Sequence, residues 1–228
     1  MTALTHRFAA AVLAVALTAC TDFRAPVDTT AKNLVGRAET TVRQFLSRAD
    51  FHDLRTHLKT ARGVVVLPSV TKLGFIGAAE FGNGVLLSRR ADGTWNGPAF
   101  YTLGAGSVGP QLGIQNVEMI LILRNDKAVR AVVDHQGKFG VDAGLTVGFL
   151  GGGLEGSTTT NLGADIYAFA IPVIGAFGGI SLEGSALVRR NDLNEAYYGA
   201  GATAPAIVFD GQFSNAIADP LKTALGGP

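Results

Sequence analysis

Gly63-Val64-Val65-Val66-Leu67-Pro68 is the stretch on which the fold turns. A short β-branched run with a proline stop reads as a buried strand. Upstream of it the period is different. Ala31, Leu34, Val35, Ala38, Val42, Phe45, Leu46 and Ala49 recur at steps of three and four. That spacing predicts an amphipathic helix, with Asp28, Thr29 or Thr30 as its cap. Asp50-Phe51-His52 makes a joint, and Asp53 to Thr60 reads as a second, shorter helix.

Downstream the chain breaks into short strand-like runs at 84–89, 95–103, 109–114, 119–123, 141–149, 165–170, 179–189 and 206–209. Asn125 to Val133 reads as a brief helix or turn among them, and Ala91-Asp92-Gly93 is a turn. Thirty glycines lie inside the runs as well as between them. Glycine within a strand marks a bend, a bulge or close backbone approach, so the sheets are expected to be strongly coiled. The fold class that follows is α+β, with N-terminal amphipathic helices and then a glycine-rich, mostly antiparallel β domain, sandwich- or barrel-like.

The first twenty residues bear on location. Arg7 precedes an apolar run from Phe8 to Leu17, and Leu17-Thr18-Ala19-Cys20 reads as a lipobox. The run is too short to cross a hydrocarbon core, which needs about 20 helical residues, and has the proportions of an export signal. Cys20 is the single cysteine, so it has no intrachain disulfide partner, and it stands where a thioether to diacylglycerol would form. Residues 1–19 are therefore expected to be a signal peptide, 20–30 a tether, 31–210 the domain and 211–228 a tail. Thr21, where aspartate would favour inner-membrane retention, points to the outer membrane facing the periplasm.

Charge narrows the partners. The chain has 19 basic and 18 acidic residues. Loss of residues 1–19 removes Arg7 and no acid, leaving 18 against 18. Such a chain has little long-range pull on nucleic acid, and any anion binding needs a local patch. Residues 31–62 supply one. Lys32, Arg37, Arg43, Arg48, Arg55, Lys59 and Arg62 outnumber Glu39, Asp50 and Asp53 by four. A basic segment near a lipid-modified terminus fits anionic lipid headgroups, at about 1 kcal/mol per cation, and equally fits a solvated helix face whose other side packs on the sheet domain. Arg89-Arg90 and Arg189-Arg190 end predicted strands, where paired cations also guard strand edges.

Catalytic and cofactor patterns are weaker. Gly104-Ala105-Gly106-Ser107-Val108-Gly109 and Gly151-Gly152-Gly153-Leu154-Glu155-Gly156 match the dinucleotide spacing literally. Neither is followed by helix-forming sequence, as a pyrophosphate site requires. His52, His57 and His135 are the histidines beyond residue 19. A hydrolase built on His135 with Ser107 or Asp134 is the residual catalytic reading, and adjacent Asp134 would orient the ring poorly. Glu118, Asp126, Asp134 and Asp142 recur every eight residues on different elements, without the concentrated oxygens calcium needs. No catalytic residue, metal or cofactor is expected.

From Ala61 onward several blocks stand in an order that resembles the SYLF-domain family of lipid-binding proteins. They are Ala61-Arg62-Gly63 through Pro68, Lys72-Leu73-Gly74-Phe75, Gly84 to Arg89, Thr94-Trp95 to Phe100 and Gly106 to Gly113. Met119 to Leu123, Gly179 to Ser185 and Asn194 to Gly199 complete them. Asn83 departs from the family pattern, standing where a glycine is usual at a turn. The resemblance spans roughly residues 35–200. It implies binding to membrane lipids without enzymatic activity, contact through the basic N-terminal segment, and a basic position at Arg89. The expectation is a non-catalytic, lipid-binding lipoprotein of the bacterial envelope, with Cys20 as the attachment point and anionic membrane lipids as partners. A scaffold that binds proteins or glycans through an exposed sheet edge is the rival.

Overall fold

The computed structural model describes residues 26–74, 77–108, 113–134, 146–150, 164–174, 182 and 185–227. Helix α1 (Val27–Ser47) opens the described chain. It starts earlier than its expected caps. Pro26 holds the cap position without a side-chain bond, and Thr30 Oγ1 donates to the Pro26 carbonyl at 3.2 Å. The stretch read as tether thus already contains helix from Val27 onward. Ala31, Leu34, Val35, Ala38, Thr41, Val42 and Phe45 form its buried face. A 3-10 turn (Ala49–Phe51) makes the expected joint to α2 (Leu54–Thr60), and Phe51 stacks on Phe45 at 4.9 Å.

Seven strands then build one sheet: β1 (Gly63–Gly74), β2 (Gly77–Arg89), β3 (Trp95–Val108), β4 (Gly113–Leu123), β5 (Val147–Phe149), β6 (Ile166–Ile174) and β7 (Ala186–Arg189). Their order is β5-β6-β4-β1-β2-β3-β7, and every pairing is antiparallel except β5 with β6. The sheet curls into a half-barrel, and the α+β class holds. The β1 run occupies the centre, with Val64 and Val66 in one core and Val65 and Leu67 in the other. That two-sided burial is why the run does not alternate.

One face of the sheet packs under α1, α2, α4 (Asn191–Tyr198) and α6 (Asp219–Ala224). The other packs against α3 (Asp126–Asp134) and α5 (Ala204–Val208). Residues 211–227 contribute Ala218, Leu221 and Leu225 to the first core. Around Pro68 the register of β1 shifts against both neighbours, which is the bulge that bends the sheet. Gly82 and Gly84 lie across from it. A Cβ on Gly82 would run into the Ser69 carbonyl, and one on Gly84 into the Val66 carbonyl, so close backbone approach accounts for both.

Three expectations change. Residues 206–209 are not a strand. Thr203 accepts a hydrogen bond from Ala206 N at 3.4 Å and Pro205 sits in the first turn, so the Ile207-Val208 pair ends helix α5. Asn83 lies inside β2 rather than at a turn, and its Oδ1 accepts from Thr102 Oγ1 at 2.6 Å and Arg190 Nη1 at 3.2 Å. The runs at 109–114 and 119–123 meet in β4, which is continuous from Gly113, while 109–112 lie outside the described residues. Of the runs at 141–149 and 179–189, strand is described at Val147–Phe149 and Ala186–Arg189.

Candidate functional site

Helix α1 is clamped rather than free. Its apolar face is spent on the sheet, and each fully buried large side chain there stabilises the docked state by about 1.5–3 kcal/mol. What remains for a partner is the polar face and the ends of the sheet. Several expected cations are already engaged. Lys32 pairs with Asp28 at 3.4 Å, Arg43 with Glu39 at 2.8 Å and Arg48 with Asp50 at 2.9 Å. Arg62 grips Asp126 at the start of α3 with two bonds, 2.8 and 3.4 Å, which raises its pKa further above the ordinary arginine value. These pairs are exposed, so salt and headgroups compete with them at little cost.

Arg37 and Lys59 stay free of hydrogen bonds and ion pairs among the described residues. Arg37 projects toward the sheet, where its charge partly offsets the burial that raises the Glu118 pKa. It lines a cavity of about 300 Å³ with Thr30, Asn33, Thr71, Phe81 and Asn83. Arg89 is structural. Its guanidinium donates to the carbonyls of Gly93 (3.0 Å) and Leu58 (2.9 Å) and lies 4.3 Å over the Trp95 ring. It ties the end of α2 to the β2–β3 turn, and its burial lowers its pKa from the ordinary arginine value.

Three of the expected cations converge. Arg55, Lys59 and Arg89 border a groove of about 420 Å³ whose apolar wall is Leu46, Leu58, Ala224 and Leu225. Among the described residues no carboxylate lines it. Arg55 donates to the Leu46 carbonyl at 3.2 Å, which aims it along the groove rather than at an acid. Sequence reasoning missed the Ala224-Leu225 side of this wall, although Leu221 and Leu225 stand four apart and both are buried. A second opening of about 480 Å³ gathers Arg62, Arg90 and Arg130, but Asp126 and Asp210 share it.

The other expected residues do not assemble. Asp134 is exposed at the end of α3, and His135 lies outside the described residues, as do Cys20, Asp142 and Gly151–Gly156. Gly104 and Gly106 sit within β3, so that glycine pattern belongs to a strand. His52 is exposed beside Asp53 at 3.2 Å. His57 packs edge-on against Tyr167 at 4.7 Å, and burial holds its pKa below the ordinary value. Among the described residues no three His, Cys, Asp or Glu side chains are grouped as a metal would require, and no helix is long and apolar enough to cross a membrane.

These features define a class: an α+β domain with a curled sheet clamped between helices and a groove that joins cations to apolar wall. The chain belongs to the Ysc84, or SYLF-domain, family. The family model described as "Las17-binding protein actin regulator" matches residues 104–227. Protein YSC84 of Saccharomyces cerevisiae is 30% identical over 170 residues, covering 74% of this chain and 36% of that protein. SH3 domain-containing YSC84-like protein 1 of Bos taurus is 35% identical over 167 residues, 72% of this chain and 48% of that protein. LAS seventeen-binding protein 3 of Saccharomyces cerevisiae is 30% identical over 170 residues, 74% of this chain and 37% of that protein. The chain spans between about a third and a half of the length of these relatives. The relatives are named for binding and regulation rather than for catalysis.

Proposed function

We propose that this protein is a non-catalytic, lipid-binding lipoprotein of a bacterial cell envelope, held at the periplasmic face of the outer membrane through Cys20. The observation that carries the reading is the groove between α2 and the chain's C-terminal residues. Cations without a facing carboxylate suit an anionic headgroup, and the adjoining Leu46, Leu58 and Leu225 suit the start of an acyl chain. Its volume accommodates part of one lipid molecule rather than a bilayer patch. The Las17-binding names of relatives favour a protein partner as the second reading, with β7, the last strand of the sheet among the described residues, as its place.

Trp95 makes the test direct, because it is the single tryptophan and stacks on Arg89 at the groove wall. A chain beginning at Thr21 keeps every described residue. Titrating it with short-chain phosphatidylglycerol is expected to change Trp95 emission, more weakly at high salt. Arg55→Glu with Lys59→Glu is expected to weaken binding by about thirtyfold, from about 1 kcal/mol per cation. Equal binding of short-chain phosphatidylcholine, or no loss in the double variant, refutes the reading.

A further inference from the structure

The far end of the sheet carries an uncovered apolar surface. Leu73 on β1 pairs across with Ile114 on β4, and Thr71 pairs across with Phe81 on β2. Opposite residues and residues two apart on a strand share a face, so Leu73, Phe81 and Ile114 point the same way. That face is the one α1 covers, because Thr30, Leu34 and Arg37 border the same cavity as Thr71 and Phe81. Helix α1 begins here, and its cover gives out. Phe81 and Ile114 are 52% and 64% exposed, and Leu73, Val173 at the end of β6 and Val27 at the start of α1 are exposed as well. Neighbouring exposed apolar side chains, unlike scattered ones, mark a contact surface.

The charges nearby are arranged so as not to oppose an apolar contact. Lys72 and Glu80, one residue along from Leu73 and Phe81, turn to the opposite face and neutralise each other at 2.8 Å. Glu118 is the carboxylate on the α1 face beside Arg37, and burial already favours its neutral form. Arg37, Asn33 and Thr30 form a polar margin along α1.

The attachment point of the reading above, Cys20, supplies the occupant of this surface. Six residue steps lead from Cys20 to Pro26, where the described chain begins at this same end. Fully extended they reach about 21 Å. A lipid-bearing Cys20 therefore keeps the α1 start, and with it Leu73, Phe81 and Ile114, next to the bilayer that holds the anchor. We propose that the protein seats on its anchoring membrane through this apolar end, the exposed side chains entering the acyl boundary, rather than through its basic N-terminal segment. The orientation rests on the acylated Cys20 of the reading above. The cationic groove lies at the other end: Phe81 and Arg89 are eight residues apart on β2, about 26 Å at strand rise. That clears the headgroup layer, which extends about 7 Å beyond the hydrocarbon on each side. The groove then receives an amphiphile that has left the bilayer.

The test uses the full-length protein as the cell processes it, reconstituted into phosphatidylethanolamine–phosphatidylglycerol vesicles containing acyl-brominated lipid, which quenches indoles in the acyl region. Phe81→Trp is compared with the unaltered chain, whose Trp95 at the other end is the internal reference. Phe81 is half exposed, so an indole fits without repacking, and far-UV circular dichroism confirms the fold. The indole introduced at position 81 is expected to be quenched several-fold more than Trp95. In a chain beginning at Thr21, Phe81→Asn and Ile114→Asn are each expected to lower vesicle partition about fivefold, the worth of half-burying a large apolar side chain. Intact mass reports Cys20 on the same samples. An acylated Cys20 with the indole at 81 unquenched overturns the seat and leaves the anchor. An unmodified Cys20 with that indole quenched overturns the anchor and leaves the seat.

Discussion

Replacing Phe45 by alanine separates an integral α1 from a detachable one. Phe45 is fully buried, stacks on Phe51 at 4.9 Å, and Phe51 in turn meets Phe169 of β6 at 5.9 Å. The ring therefore joins α1, the 3-10 turn and the sheet in one cluster that also contains Trp95. Truncating a buried phenylalanine costs about 3–5 kcal/mol, transfer and cavity together. With a urea slope of about 2 kcal/mol per molar, the midpoint falls by about 1.5–2.5 M. The assay is urea unfolding of a chain beginning at Thr21, followed by Trp95 emission and by far-UV circular dichroism on the same samples. If α1 belongs to the cooperative unit, the two curves coincide and shift together. If α1 is a free amphipathic segment, helical signal is lost while the Trp95 midpoint stays put. That second result refutes the packing argument, and with it the claim that the apolar face of α1 is not left for lipid.

Asn194→Ala removes the buried Oδ1 that accepts from Phe100 N at 2.9 Å, and is expected to cost about 1–3 kcal/mol in urea unfolding. Glu118 carries a pKa raised by burial, so the folded state holds its proton more tightly than the unfolded chain. Its contribution therefore turns unfavourable as pH rises from the ordinary glutamate range through the folded value. Glu118→Gln should raise the melting temperature at pH 7 and lose that gain near pH 4, as calorimetry at both pH values would show. Arg89→Lys gives up the two-carbonyl grip and the stack on Trp95, and is expected to cost about 2 kcal/mol and shift Trp95 emission.

The parts of the fold that were legible are those where burial is local in sequence. The three-and-four spacing from Ala31 to Phe45 named the face that α1 buries, and the valines of 64–66 named a buried strand, which the structure covers on both sides. Ile207-Val208 misled because β-branched residues favour strands, while Thr203 and Pro205 supply a helix start that outweighs two residues of propensity. The candidate cations were legible as a set but not in their roles. Arg62 meets Asp126 across 64 residues of chain, and Arg89 spends its guanidinium on the carbonyls of Leu58 in α2 and Gly93 in the β2–β3 turn. Sequence spacing carries no sign of either. The i,i+4 spacing of Glu39 and Arg43 is local in sequence, yet that this arginine is partly occupied emerges only from the structure. The apolar far end depends on strand register: Leu73, Phe81 and Ile114 are forty-one residues apart end to end and meet only through pairing.

Native mass spectrometry of the protein released gently from membranes bears most directly on the central claim, since it weighs the covalent and the non-covalent lipid together. The account predicts a chain that starts at Cys20, carries acyl chains there, and retains an anionic lipid that Arg55→Glu with Lys59→Glu removes. A chain with an unmodified residue 20 and no lipid adduct, or one whose adduct survives the double substitution unchanged, contradicts it.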